Sequence, residues 1–278
     1  MPSAAEVECR AALVKSSLPG LDYTLNPYVG CQHGCRYCYA PSLLRIWNRE
    51  WGSFVNVKKS MTEMLERDLK TKPPGVIGVS TATDPYQPLE RELLLTRRCL
   101  EKISETDFYA SIQTKSNLVT RDLPVLDPGR VDVGFTITTL DEEIACLIEP
   151  EASKPSLRVE ALRETSNRGF KTWVFYGPII PLLNDDQKTL REIIQLAEET
   201  EGAVIYDKLN LRRGVTDRLK APLKSLGLNP KEVFRKTVED EYWVGVKTVI
   251  EDFAKSRGVQ VEAAFKPIVN LQTTLENF

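Results

Sequence analysis

Histidine is almost missing from this chain of 278 residues, with His33 the only one. Long apolar runs are missing too. The longest, VFYGPIIPLL at 174–183, is too short to cross a bilayer and is broken by Gly177, Pro178 and Pro181, so no membrane segment is expected. The opening stretch MPSAAEVECRAALVKSSLPG shows no apolar signal-peptide core, and the expected location is cytoplasmic. A net charge of -2 gives no global pull toward nucleic acid, so such binding needs a local patch. Six cysteines, half of them clustered, are too few and too uneven for a disulfide framework and fit a metal or redox site in a reducing compartment. What is present, 42% hydrophobic and 27% charged residues, suits a globular chain with a substantial core.

Apolar, β-rich runs alternate with helical patterns, which predicts parallel βα units. The runs are 21–26, 76–83, 108–115, 131–139, 171–180 and 203–211. Between them, Leu190, Ile193, Ile194 and Ala197 recur at helical spacing over 187–200, with Leu196 at the edge of the same face. Asp84 before Pro85 reads as the N-cap of a helix over 88–104, slightly ahead of a contact to a bound ligand. Each run ends in a polar or turn-forming cluster, where parallel α/β barrels carry their active sites. Beyond about residue 215 the alternation weakens into a basic stretch and one long helix, 230–256, with Phe234, Val238, Val249, Ile250 and Phe253 on its apolar face. The expected division is an arm over 1–20, a core over 21–215 and an extension over 216–278 that packs on the core.

The densest chemical signal is NPYVGCQHGCRYCYAP, which places Cys31, Cys35 and Cys38 within eight residues. Structural zinc and iron sites ask for four protein ligands, and this spacing supplies three. His33 lies inside the first spacer, where its short tether makes ligation beside both flanking thiolates awkward; Cys9, Cys99 and Cys146 are scattered. Ordinary reduced cysteines, a zinc site completed from afar, and an iron-sulfur cubane with one open iron all stay in play. An open metal position marks chemistry rather than scaffolding, which favours the cubane. A non-enzymatic metal-thiolate module, zinc or iron-sulfur, or an electron carrier, is the rival function.

The CxxxCxxC of Cys31, Cys35 and Cys38, with Tyr37 before the last cysteine, resembles the radical S-adenosylmethionine superfamily. STATDPYQPLE, TKSNLVTRDLPVL, FTITTLDEEIACLIEP and YGPIIPLLND are similar to its spore photoproduct lyase-related branch, over about residues 21–211. The resemblance implies an α/β fold, a partial (β/α)6 barrel with a C-terminal helical extension. It also implies a 4Fe-4S cluster on Cys31, Cys35 and Cys38, S-adenosylmethionine on the fourth iron, and a 5'-deoxyadenosyl radical for hydrogen abstraction from a substrate it does not identify. An external electron donor, a reductase or a protein of flavodoxin or ferredoxin type, follows from the same chemistry. Lys115, and more weakly Arg158, are the cations for the methionyl carboxylate; Thr83 and Thr136 match positions that contact the cofactor. Glu149 before Pro150 reads equally as a helix end or a polar contact, and Tyr37 and Tyr39 flank Cys38, where packing against the cluster is favoured over passing a hydrogen atom. Spore photoproduct lyases place a hydrogen-donating cysteine near the end of the second strand; Thr81 stands there, so repair of a thymine photoproduct by a thiol route is not expected.

Residues 208–236 carry nine Lys or Arg against Asp217 and Glu232, an excess of seven. Such a run is usually a solvated face. The functional alternative has Arg212, Arg213, Arg218 and Lys220 holding the phosphates of a nucleic acid or phosphorylated substrate at the barrel mouth.

Overall fold

The computed structural model describes residues 3–265. Its first strands are β1 (Ser3–Glu8), β2 (Leu13–Lys15), β3 (Tyr23–Leu25), β4 (Tyr28–Val29) and β5 (Phe54–Lys59). Then come β6 (Val76–Val79), β7 (Tyr109–Thr114), β8 (Val131–Thr136), β9 (Lys171–Ile179), β10 (Ala203–Lys208) and β11 (Val261–Ala263). The helices are α1 (Ala40–Leu43), α2 (Met61–Thr71), α3 (Glu90–Leu93), α4 (Leu95–Ser104), α5 (Glu142–Ile148) and α6 (Pro155–Asn167). They continue with α7 (Gln187–Glu199), α8 (Val215–Ser225), α9 (Pro230–Thr237) and α10 (Asp240–Arg257).

The main sheet has the order β11-β10-β9-β8-β7-β6-β3-β2. Every pairing from β3 to β11 is parallel, and β2 runs antiparallel on β3. Parallel neighbours in chain order need crossover connections, and the helices supply them. Among the described residues the edge strands β2 and β11 do not pair, so the sheet is an open, partial barrel. All six expected runs lie in it. Most of them leave the ladder early, because their polar tails turn into the loops of one rim. β7 alternates half-buried and buried residues, and β8, between two strands, is buried almost throughout.

Helix α7 places Leu190, Ile193, Ile194, Leu196 and Ala197 in the core, and Asp186 caps it by accepting from the Thr189 amide at 3.0 Å. Two other helices depart from expectation. The segment 230–256 is two helices, α9 and α10, because Glu239 is extended and Val238, 68% exposed, belongs to no apolar face. The fully buried Trp243 indole donates to the Thr237 carbonyl at 2.8 Å, satisfying the end of α9 and fixing the break. The segment 88–104 is split at Leu94, whose φ of 53° is left-handed, and Asp84 caps neither half. Glu90 does so instead, accepting from the Thr96 and Arg97 amides at 2.9 and 3.2 Å. A second, three-stranded sheet of order β1-β5-β4 is also outside the sequence expectation.

Candidate active site at the strand ends

From β4 the chain enters the cysteine loop through Gly30, whose φ is +98° and where a Cβ would stand 2.5 Å from the Phe54 carbonyl oxygen. Only glycine fits there. The loop is then stitched on two flanks. The Gln32 amide donates to Gln87 Oε1 at 2.9 Å, and Gln87 Nε2 returns to the Gly30 carbonyl at 3.4 Å. On the other flank the Arg36 amide donates to the Ile148 carbonyl at 2.8 Å and the Glu151 amide to that of His33 at 3.3 Å.

Cys31, Cys35 and Cys38 are free; the first two are buried and Cys38 is half-buried. Burial pushes the Cys31 thiol up to about 12, where the Asp84 charge adds to it and amide bonds oppose it. Burial also raises Cys35 well above its ordinary value against the pull of Lys115, and raises Cys38 against the Ala40 amide, Lys115 and Arg218. Thiols held protonated by burial lose that proton on metal binding. The charges of the three sulfurs act on one another, yet among the described residues no three His, Cys, Asp or Glu side chains gather closely enough to hold a single ion. Three free thiols on one loop match the donor set of a cubane that keeps one iron unligated by protein. His33 is buried and turned to Asp84, with Nδ1 3.4 Å from Oδ2.

Asp84 joins three elements. Its carboxylate accepts from the Tyr86 amide, the Thr114 hydroxyl and the Lys115 amide at 2.9, 2.7 and 2.7 Å. Against burial, the His33, Lys115 and Thr114 contacts hold it down at about 2. This fixes the end of β7, from which the Lys115 side chain runs back over the Tyr37 ring, Nζ 5.6 Å from the centroid. Burial, the largest influence, pulls the Lys115 ammonium down, but Cys35, Glu149 and Asp84 together carry it above its ordinary value. Among the described residues no carboxylate lies within 4.0 Å of that ammonium.

The other expected site residues are buried and already bonded. Thr83 Oγ1 donates to the Tyr28 carbonyl at 3.5 Å, and Thr136 Oγ1 accepts from Gln113 at 3.1 Å. Arg158, 1% exposed, donates to the Ser153 and Thr136 carbonyls at 2.6 and 3.1 Å and pairs with Glu149 at 2.5 Å. Glu149 Oε1 accepts from the Tyr37 hydroxyl and from Thr138 at 2.8 Å, so it is both the end of α5 and a polar contact.

Two site features were missed from sequence. Burial pushes Asp207, at the end of β10, up to about 6, a signal that needs the fold to be seen. Arg218, on α8, donates to the Arg36 carbonyl at 3.2 Å and to that of Cys38. Gly214, with φ +83°, makes room for it, since a Cβ there would meet Arg218 Nη1 at 2.9 Å. Behind this clamp, Val215, Leu219, Leu223 and Val233 of α8 and α9 share an apolar cluster with Cys35 and Tyr37. The C-terminal helices therefore wall the cysteine loop.

An open parallel sheet with free thiols and a lysine gathered at one rim defines an α/β protein with a thiol-rich site there. The sequence pattern of the Radical SAM superfamily matches residues 25–197, and the chain belongs to that superfamily. It is a radical SAM enzyme. An uncharacterized protein of Methanocaldococcus jannaschii is 33% identical over 190 residues, 67% of this chain and 71% of that one. One of Mycobacterium tuberculosis is 28% identical over 223 residues, 74% of this chain and 65% of that one. Among solved structures, a spore photoproduct lyase complexed with dinucleoside spore photoproduct superposes with a TM-score of 0.73 at 15% identity, covering 94% of this chain and 82% of that one. A Streptococcus suis protein bound to S-adenosylmethionine gives 0.60 at 13%, covering 88% of this chain and 50% of that one. Among the described residues no helix is long and apolar enough to cross a membrane.

Proposed function

We propose that Cys31, Cys35 and Cys38 hold three irons of a 4Fe-4S cluster and that Lys115 binds the methionyl carboxylate of S-adenosylmethionine placed on the fourth. When bound, cluster and cofactor supply a 5'-deoxyadenosyl radical that takes a hydrogen atom from a substrate, at the cost of one electron from an external donor. The observation that carries this reading is the Lys115 ammonium without a carboxylate partner beside three free thiols, two of them buried. Cys35, Glu149 and Asp84 together favour the charged form of Lys115, and Tyr37 keeps Glu149 oriented. Arg158 serves through Glu149, since its donors are taken by Glu149 and two carbonyls; Thr83 and Thr136 line the same rim with hydroxyls for the cofactor's polar groups. Superfamily membership speaks against the non-enzymatic metal module or carrier.

Support for nucleic acid as the substrate narrows. Arg218 clamps the cysteine loop, and Lys220 pairs with Asp217 at 2.8 Å. Of the four residues expected to hold phosphates, Arg212 and Arg213 alone have neither a carboxylate partner nor a carbonyl clamp among the described residues. With Thr81 where a thiol donor would stand, turnover of a dinucleotide photoproduct to two thymines is not expected.

Lys115→Met tests the reading. The anaerobically reconstituted variant should keep its iron and visible absorbance while its Kd for S-adenosylmethionine rises at least about tenfold, the loss of one charge-assisted bond. Unchanged affinity would remove Lys115 from the site.

A further inference from the structure

Immediately after the half-buried Cys38, the chain presents three large side chains to solvent at four-residue intervals. Tyr39 is 40% exposed, Leu43 53% and Trp47 46%. Two consecutive arginines from the far end of the sheet lie on two of these rings. The Arg212 guanidinium stands 5.8 Å from the Tyr39 centroid and that of Arg213 4.4 Å from Trp47. Both arginines are exposed, and neither meets a carboxylate among the described residues. Asp207, whose charge reaches Tyr39, is half-buried.

We infer that this face is the docking surface of an acidic one-electron donor, a low-potential flavin or iron-sulfur protein, which reduces the cluster through its Cys38 corner. The inference rests on the proposed cluster. Its chemistry is a single electron passing from donor to cluster, with no bond made or broken. Aromatic residues and arginine mark protein interfaces, and unpaired arginines around an apolar centre favour a partner of opposite charge. Nucleic acid fits the face less well, because two arginines neutralise few phosphates and both exposed rings, Tyr39 and Trp47, already carry a guanidinium.

The test is the rate at which the visible absorbance of the reconstituted protein bleaches, with two reductants. A reduced, acidic flavodoxin probes the face; dithionite, a small reagent, does not need it. The double variant Arg212→Gln, Arg213→Gln should be reduced by flavodoxin about tenfold more slowly than native protein. Its rate with dithionite should be native. The flavodoxin rate of the native protein should fall with ionic strength, and that of the variant should not. Leu43→Asp, which keeps both arginines, should also slow flavodoxin alone. Equal flavodoxin rates in native and variant proteins, or equal slowing by both reductants, would overturn the inference. So would a double variant whose only defect is lost binding of a single-stranded oligonucleotide, which would give the face to nucleic acid. A native protein that assembles no cluster would instead sink the underlying reading.

Discussion

Two buried glutamates border the cysteine segment, each bonded by a tyrosine from it: Tyr37 on Glu149 and Tyr28 on Glu90. Both carboxylates are at most 2% exposed, and for both burial is the largest influence on the proton. The outcomes are opposite. Around Glu149 the Arg158 and Lys115 charges together outweigh burial and hold the carboxyl below its ordinary value. Around Glu90 the Arg121 guanidinium stands 3.5 Å away and is 24% exposed, so burial wins and the carboxyl rises. One flank thus maintains a negative charge beside Lys115, where the chemistry is proposed. The other uses a carboxylate as an acceptor that caps the amides of α4.

Removing the cation on each flank should separate them most. Arg158→Met strands the Glu149 charge and should cost about 3–5 kcal/mol in urea unfolding. Arg121→Met leaves Asp122 still paired with Arg97 at 3.3 Å and should cost about 1–2 kcal/mol. Equal costs would erase the distinction.

A smaller effect lies in the pH dependence of stability. Glu149, with its folded pKa lowered, contributes stability that is complete above the ordinary value of 4.5 and is lost as pH falls through the folded pKa. Glu90, with its folded pKa raised, contributes stability that is complete below 4.5 and is lost as pH rises through the folded pKa. In urea titrations of the metal-free protein, the deficit of Glu149→Gln should therefore shrink as pH drops below 4.5, whereas Glu90→Gln should gain on native protein as pH climbs above it. Parallel curves for the two variants would refute the assignment.

The smallest effect belongs to the helix break far from both glutamates. Val238→Asp, at a position 68% exposed, should change stability by less than about 0.5 kcal/mol, and a loss above about 2 kcal/mol would mean that Val238 sits on a continuous helix face after all.

Local regularity was legible and distant pairing was not. The six strand runs could be read because apolar and β-branched residues cluster within each, and the cysteine loop because its spacing is confined to eight residues. Asp84 looked like a helix cap from its neighbours, yet its partners are Thr114 and Lys115, thirty residues on. The 230–256 segment is apolar at helical spacing throughout, and only the Trp243 bond to Thr237 shows where it breaks. Arg218 read as a solvated charge or a phosphate ligand in a basic run, because nothing local points to carbonyls 180 and 182 residues away. For the same reason the short strands β2 and β11 escaped notice: three residues carry no period.

The account stands or falls on which cysteines hold iron. After anaerobic reconstitution, iron content and 5'-deoxyadenosine release should be measured for single Ala variants of Cys31, Cys35 and Cys38 and for the triple variant of Cys9, Cys99 and Cys146. The account predicts that each single variant loses the visible chromophore and 5'-deoxyadenosine release together, and that the triple variant keeps both. A triple variant that bleaches while still folded, or a Cys35→Ala protein with native iron content and turnover, would contradict it.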